Sequence, residues 1–180
     1  MLQVTIPARE FFDESKQEFV NVKSEVLQLE HSLVSLSKWE SKWCKPFLAK
    51  EEKTIEETID YIRCMTITQN VSSSAYAYIS DSVFAQITEY INAPMTATWF
   101  NEQPGAKKSR EVTTSEIIYY WMISQNIPME CQKWHLNRLL TLIKVCSLKN
   151  TPPRKMGRRE MLSQRKALNE ARRNQINTRG

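Results

Sequence analysis

Glycine is nearly missing from this chain. Of its 180 residues only Gly105, Gly157 and Gly180 are glycines. Loops that cradle a phosphate or a dinucleotide need glycines so that the backbone can approach the ligand, and none can be built here. Cysteine is sparse as well: Cys44, Cys64, Cys131 and Cys146 stand far apart. That spacing reads as free thiols in a reducing compartment rather than as a disulfide framework. Histidine occurs twice, at His31 and His135. The pair Cys131 and His135 supplies only two ligands, with no CxxC to complete a zinc site, so the expectation is a core thiol beside a helical histidine. Long apolar runs are absent too. The longest, around 117–123, falls well short of the roughly 20 residues that span a bilayer. The opening MLQVTIPARE has neither the charged nor the apolar region of a secretory signal. These absences predict a soluble, intracellular protein with no membrane partner.

No signature of catalysis emerges from what remains. GxSxG, HExxH, P-loop and EF-hand spacings do not occur. The carboxylates Glu51, Glu52, Glu56, Glu57 and Asp60 lie among lysines on the first turns of an expected helix, where acidic residues complement the dipole. They read as a solvated face. No catalytic residue, metal ligand or cofactor is expected.

Charge is plentiful but unevenly placed. The 151–180 segment holds nine basic residues, Arg154, Lys155, Arg158, Arg159, Arg165, Lys166, Arg172, Arg173 and Arg179, against Glu160 and Glu170, a net of +7. With +5 for the whole chain, 1–150 carries −2. The chain therefore divides into a near-neutral domain at 1–150, ended by Pro152-Pro153, and a basic C-terminal helical arm at 151–180.

Within the domain, 1–30 reads as strands. Leu2–Ile6 alternates, FFDESKQEFVNV forms a hairpin, and 25–30 alternates again with Val26 facing inward and Leu27 and Leu29 as further inward candidates. A small antiparallel sheet of three or four strands is expected. Helices should fill 31–150. Ser32 caps a helix bearing Leu33, Leu36, Trp39 (or Glu40) and Trp43 that stops at Pro46. Thr54 and Glu57 form a capping box ahead of a stripe of Ile55, Ile59, Ile62 and Met65. TQNVSSS is a break, and Asp81 opens a helix with Val83, Phe84, Ile87 and Ile91 on one face. NEQPGAKKSRE is a polar loop turning at Pro104-Gly105. TTSE starts a helix, EIIYYWMISQ, that is apolar on all sides. Ile127-Pro128 then separates it from a helix over 129–146 with Trp134, Leu139, Leu140, Leu142, Ile143 and Cys146 on its apolar face. The fold class is α+β, mainly α.

Two surfaces are candidates for binding. Tyr119, Tyr120 and Trp121 are consecutive, so one helix cannot turn all three inward, and at least one must meet a partner or a covering segment. Trp134 completes this aromatic group, although core is its simpler place. The arm offers a second surface: its arginines and lysines with Met161, Leu168 and Ile176 along a narrow apolar stripe. It reads as a solvated tail, as a nucleic-acid contact, or as a protein-docking segment that folds on binding. The arm has no Phe, Tyr or Trp to stack on bases, which favours the protein reading over a single-strand role.

The strings LEHSLVSLSKWESKWCKPFL, TIDYIRCMTITQNV, YINAPMTATWF and SEIIYYWMISQNIPMECQKWHLNRLLTLIKVC, with the basic ending KALNEARRNQINTRG, resemble a group of tailed-bacteriophage virion and tail assembly proteins. The helix–Ile-Pro–helix layout at 116–146 is similar to segments of phage tail assembly chaperones. That resemblance implies a non-enzymatic protein that escorts tape-measure or tail-tube subunits in the host cytoplasm. The N-terminal strands depart from a purely helical chaperone. They leave room for a structural virion component, in the neck, tail or capsid, whose arm laces neighbouring subunits together. A DNA-binding packaging or regulatory protein is the reading from another class, and homo-oligomerisation is open in all three.

Overall fold

The computed structural model describes residues 1–13, 17–100, 112–151 and 158–176. The Pro104-Gly105 loop, Pro152-Pro153, Arg154, Lys155 and Arg179 lie outside them. The chain forms two compact units, Met1–Ser147 and Leu148–Gly180, and is mainly helical with a small N-terminal antiparallel sheet.

Four short strands open the first unit: β1 (Leu2–Ile6), β2 (Arg9–Asp13), β3 (Glu18–Val22) and β4 (Glu25–Leu29). They do not line up side by side as one sheet of three or four. β1 pairs with β4 and β2 with β3. The two ladders keep one register: Ile6 faces Glu25, and beyond the break Arg9 faces Val22. The four strands are thus one antiparallel ribbon cut in two at Pro7, which has no N–H to give the ladder. Cross-strand neighbours share a face, so Val4 with Leu27, and Leu29 two residues on, turn to the core. Val26 is instead 44% exposed. On its other edge β4 meets a short extended run after the second helix, where Ile67 N–H donates to Gln28 O at 2.8 Å and Glu30 N–H to Met65 O at 2.9 Å.

Helix α1 (Leu33–Trp43) starts where Ser32 Oγ accepts the Ser35 N–H and Ser35 Oγ accepts the Ser32 N–H, a reciprocal cap. It ends before the proline, with Cys44 in the left-handed region at φ 52°. Helix α2 (Ile55–Met65) has the expected box, Glu57 N–H to Thr54 Oγ1 and Thr54 N–H to Glu57 Oε2. Its inward residues are Glu57, Asp60, Tyr61, Ile62 and Met65. Ile55, expected on that stripe, is 81% exposed. Ile55→Lys should therefore leave the unfolding free energy within about 0.5 kcal/mol in chemical denaturation.

The TQNVSSS stretch is only partly a break, since its serines begin a short helix, α3 (Ser73–Ala77), with Ser72 as cap. Helix α4 (Asp81–Asn92) buries Val83, Ile87 and Tyr90. Phe84, one residue off that stripe and so about 100° round the helix, is 40% exposed. Helix α5 (Ser115–Ser124) buries only one side of its apolar surface: Ile118 and Met122 are fully buried, whereas Ile123 is exposed. The expected helix over 129–146 is two elements. A 3-10 turn, Met129–Lys133, closes with Trp134 N–H on Cys131 O, and α6 (Leu136–Asn150) begins beyond it. The Leu136 N–H goes to His31 O at 2.7 Å, tying the start of α6 to the end of β4. The second unit contains α7 (Arg158–Ile176).

Around α1 the core is aromatic. Trp39, 1% exposed, donates its indole N–H to Glu57 O at 2.8 Å. Phe47 stacks on Tyr61 with centroids 3.9 Å apart and meets Trp39 edge-on.

Candidate functional site

The four aromatics expected to bind a partner are divided by α5 and the 3-10 turn. Ile118 and Met122, four residues apart, fix the inner side of α5, so Tyr120 and Ile123 fall on its outer side, 67% and 66% exposed. Tyr119 and Trp121 flank the buried stripe and are half-buried. The Tyr119 hydroxyl donates to Gln132 Oε1 at 2.9 Å, holding α5 to the 3-10 turn. Burial pushes that hydroxyl above its ordinary range. Trp134 is not a core residue: it sits at the rim, 36% exposed, with the Arg138 guanidinium 4.3 Å from its ring centre. Of the consecutive aromatics, then, Tyr120 is the one turned outward.

The foundation of this surface comes from α1, 75 residues away in sequence. Thr114 precedes α5 but gives no side-chain cap. Glu40, 7% exposed, supplies it instead: Oε2 accepts the Ser115 N–H at 2.7 Å while Oε1 accepts the Phe47 N–H at 2.8 Å. A carboxylate at a helix N-terminus also meets the positive end of the dipole.

The carboxylates read as a solvated face divide the same way. Glu51, Glu52 and Glu56 are exposed, but Glu57 and Asp60 are buried. Glu57 pairs with Lys45 at 2.6 Å, and Asp60 accepts from Lys42 and from the Trp43 indole N–H at 2.9 Å. The Lys45 ammonium and the Thr54 N–H hold the Glu57 carboxyl below its usual range. Burial pushes Asp60 upward, and Lys42 and Trp43 outweigh it, leaving it below the carboxylate norm. An open hollow of about 450 Å³ beside them is lined by Trp43, Ile55, Ile59, Asp60, Arg63 and others. Both acids are already committed to lysines, which makes them bracing groups of the α1–α2 pair.

Sequence reading passed over one polar cluster. His31, at the end of β4, and His135, ahead of α6, lie with ring centres 5.1 Å apart, both buried. His135 Nε2–H donates to Tyr90 O at 3.0 Å and its Nδ1 accepts the Asn137 N–H at 3.3 Å, so the ring is a neutral imidazole. His31 Nδ1 shares a hydrogen bond with the buried Tyr61 hydroxyl. The Tyr90 hydroxyl donates to Glu30 Oε1 at 2.7 Å, and the Met1 amino group lies 2.9 Å from Glu30 Oε2. The signal available was only that Glu30, His31 and His135 are polar residues next to apolar stripes. Cys131 is buried in the 3-10 turn and does not share a helix with His135. Among the described residues no three of His, Cys, Asp and Glu converge as a metal site, and no helix is long and apolar enough to cross a membrane.

On the arm, α7 carries Arg158, Arg159, Met161, Arg165, Lys166, Leu168, Arg172, Arg173 and Ile176. Met161, Arg165, Lys166, Leu168, Arg172 and Arg173 are exposed. No protein-family model matches the chain, and no curated protein or solved structure is significantly similar to it.

Proposed function

We propose that this chain is a non-enzymatic bacteriophage assembly protein, a tail assembly chaperone that binds tape-measure or tail-tube subunits in the host cytoplasm. The observation that carries the reading is the outer side of α5, where Tyr120 and Ile123 stand exposed on a helix anchored by Ile118, Met122 and Glu40. Apolar side chains displayed on a rigid element suit a partner whose own apolar surface must be covered until its neighbour arrives. The resemblance of the quoted segments to phage assembly proteins gives that partner its setting.

A second reading, a permanent virion component, is favoured by the ribbon. Its four strands are an element that a purely helical chaperone would not need. Mass spectrometry of purified virions separates the two: a departing chaperone is missing, whereas a structural subunit appears at fixed stoichiometry. The surface itself is tested by Tyr120→Asp with Ile123→Asp in the full chain, co-expressed with tape-measure or tail-tube subunits. Co-purification should fall at least about tenfold, the loss of one well-placed anchor, with an unchanged thermal midpoint. Undiminished co-purification would rule out α5 as the docking element.

A further inference from the structure

The cations of α7 recur every seventh residue. Arg158, Arg165 and Arg172 form one series, and Arg159, Lys166 and Arg173 form a second, one residue further on. On an α-helix each series becomes a stripe with members about 10.5 Å apart, and the two stripes lie about 100° from one another. Between them runs a third series, Leu162, Asn169 and Ile176, while Glu160 and Glu170 fall outside the cationic arc. Arg165, Lys166, Arg172 and Arg173 are exposed, and among the described residues no ion pair involves them.

This order is more than a solvated tail needs, because solubility requires charge but no period. It is also a poor seam for a partner helix. A coiled-coil seam wants apolar residues at two positions of each heptad. The central series has a polar Asn169 in its middle, and the position three residues on is arginine, Arg165 and Arg172. Two cationic stripes flanking a narrow strip instead match two parallel walls of negative charge. The major groove of B-form DNA provides such walls. It is about 12 Å wide, against a helix diameter of about 10–12 Å with side chains. The 19 residues of α7 span about 28 Å, a little under one turn of duplex. A-form duplexes close that groove to side chains, and single strands would call for stacking aromatics that the arm lacks.

We propose that α7 binds double-stranded DNA, lying in the major groove with its two cationic stripes on the phosphates of opposite strands and Asn169 toward the base edges. Most of the affinity is electrostatic and independent of sequence. Asn169 adds a preference for adenine at one step, since the asparagine amide can pair with its N6 and N7. Binding by α7 does not depend on the protein surface of α5, so either can fail alone.

The test is fluorescence anisotropy of the full chain with a labelled mixed-sequence duplex about two helical turns long, titrated with salt. Neutralising about six phosphates predicts a slope of log K against log salt of about −5, and removing one cation should reduce it by about 0.9. Arg165→Gln with Arg172→Gln should therefore flatten the slope by about 2 and weaken binding about 60-fold at 0.1 M salt. Circular dichroism of the same variant checks that the helix survives. An arm of identical composition with the seven-residue order scrambled should bind more weakly and with a shallower slope. No anisotropy change at low salt would overturn the proposal. So would equal binding by the scrambled arm, which would make the arm a mere polycation. Capture of soluble polyglutamate at salt concentrations where duplex is not bound would transfer the arm to an acidic protein partner.

Discussion

Glu40→Ala is expected to lower the unfolding free energy by about 3–5 kcal/mol, because its two carboxylate oxygens hold the N–H groups of Ser115 and Phe47. At 7% exposure, water does not replace it. A hydrogen bond to a charged group is worth about 1.5–3 kcal/mol, and a buried donor left bare costs a similar amount. For a chain of this size the thermal midpoint should fall by about 6–20 °C. Glu40→Gln keeps one oxygen acceptor and should lose roughly half as much. Urea denaturation followed by tryptophan emission measures both. Because Glu40 caps α5, amide exchange should accelerate first at α5 and the 46–48 turn, with the β1–β4 ladder protected. A Glu40→Ala protein as stable as the parent, or one that loosens uniformly, would contradict the bracing role. The consequence reaches the proposed docking surface: Tyr120 and Ile123 stay on the outer side only while α5 is held, so Glu40→Ala should weaken partner binding without touching an exposed residue.

What sequence could and could not show follows from range. The caps at Ser32 and Thr54 were legible because donor and acceptor lie three residues apart. The turn from strands to helices near residue 31 was legible in the change of period from two to nearly four. Val26 was misplaced because EVLQLE offers apolar residues at 26, 27 and 29. Only the pairing with Val4 and Leu2 selects Leu27 and Leu29. Phe84 is the more hydrophobic choice over Tyr90, whereas Tyr90 is drawn in by polar partners, Glu30 and His135, that lie 60 and 45 residues away. Glu57 and Asp60 look solvated on their own helix and are buried because Lys45 and Lys42 approach from α1 and the turn after it. Of the candidate site, the outward turn of one aromatic among 119–121 was arithmetic, but which one turned outward was set by the burial of Ile118 and Met122. The stripe spacing allowed position 40 an inward place, but the capping role of Glu40 had no local sign, since its partner helix begins 75 residues later.

Acidification should weaken the fold through the histidine pair well before pH 4. Burial first, then the neighbouring His135, hold the His31 imidazole down at a pKa of about 3, against an ordinary value of 6.5. Burial lowers His135 as well, although its bond to the Tyr90 carbonyl and the nearby Glu30 pull the other way. The remaining groups around the pair are the Tyr61 and Tyr90 hydroxyls, both pushed above their ordinary range by burial, and the Met1 amino group on Glu30. Below pH 6.5 the unfolded chain takes up protons that the folded chain refuses, so stability must rise with pH through this window. His31 contributes in full above pH 6.5, and its contribution drains away as the pH falls towards 3. The slope is about 1.4 kcal/mol per pH unit, for a total of about 5 kcal/mol. Denaturation in urea at a series of pH values should show this decline in the parent chain. His31→Gln removes the titrating group while keeping a polar side chain beside Tyr61, so its curve should be flatter by about one proton between about pH 6 and pH 4. The carboxylates are the same in both proteins, and the difference between the two curves isolates His31. Parallel curves across that interval would mean that His31 is not held neutral by the fold. A difference that opens below pH 6.5 would mark the joint of β4, α2 and α6 as the place where acid enters the structure.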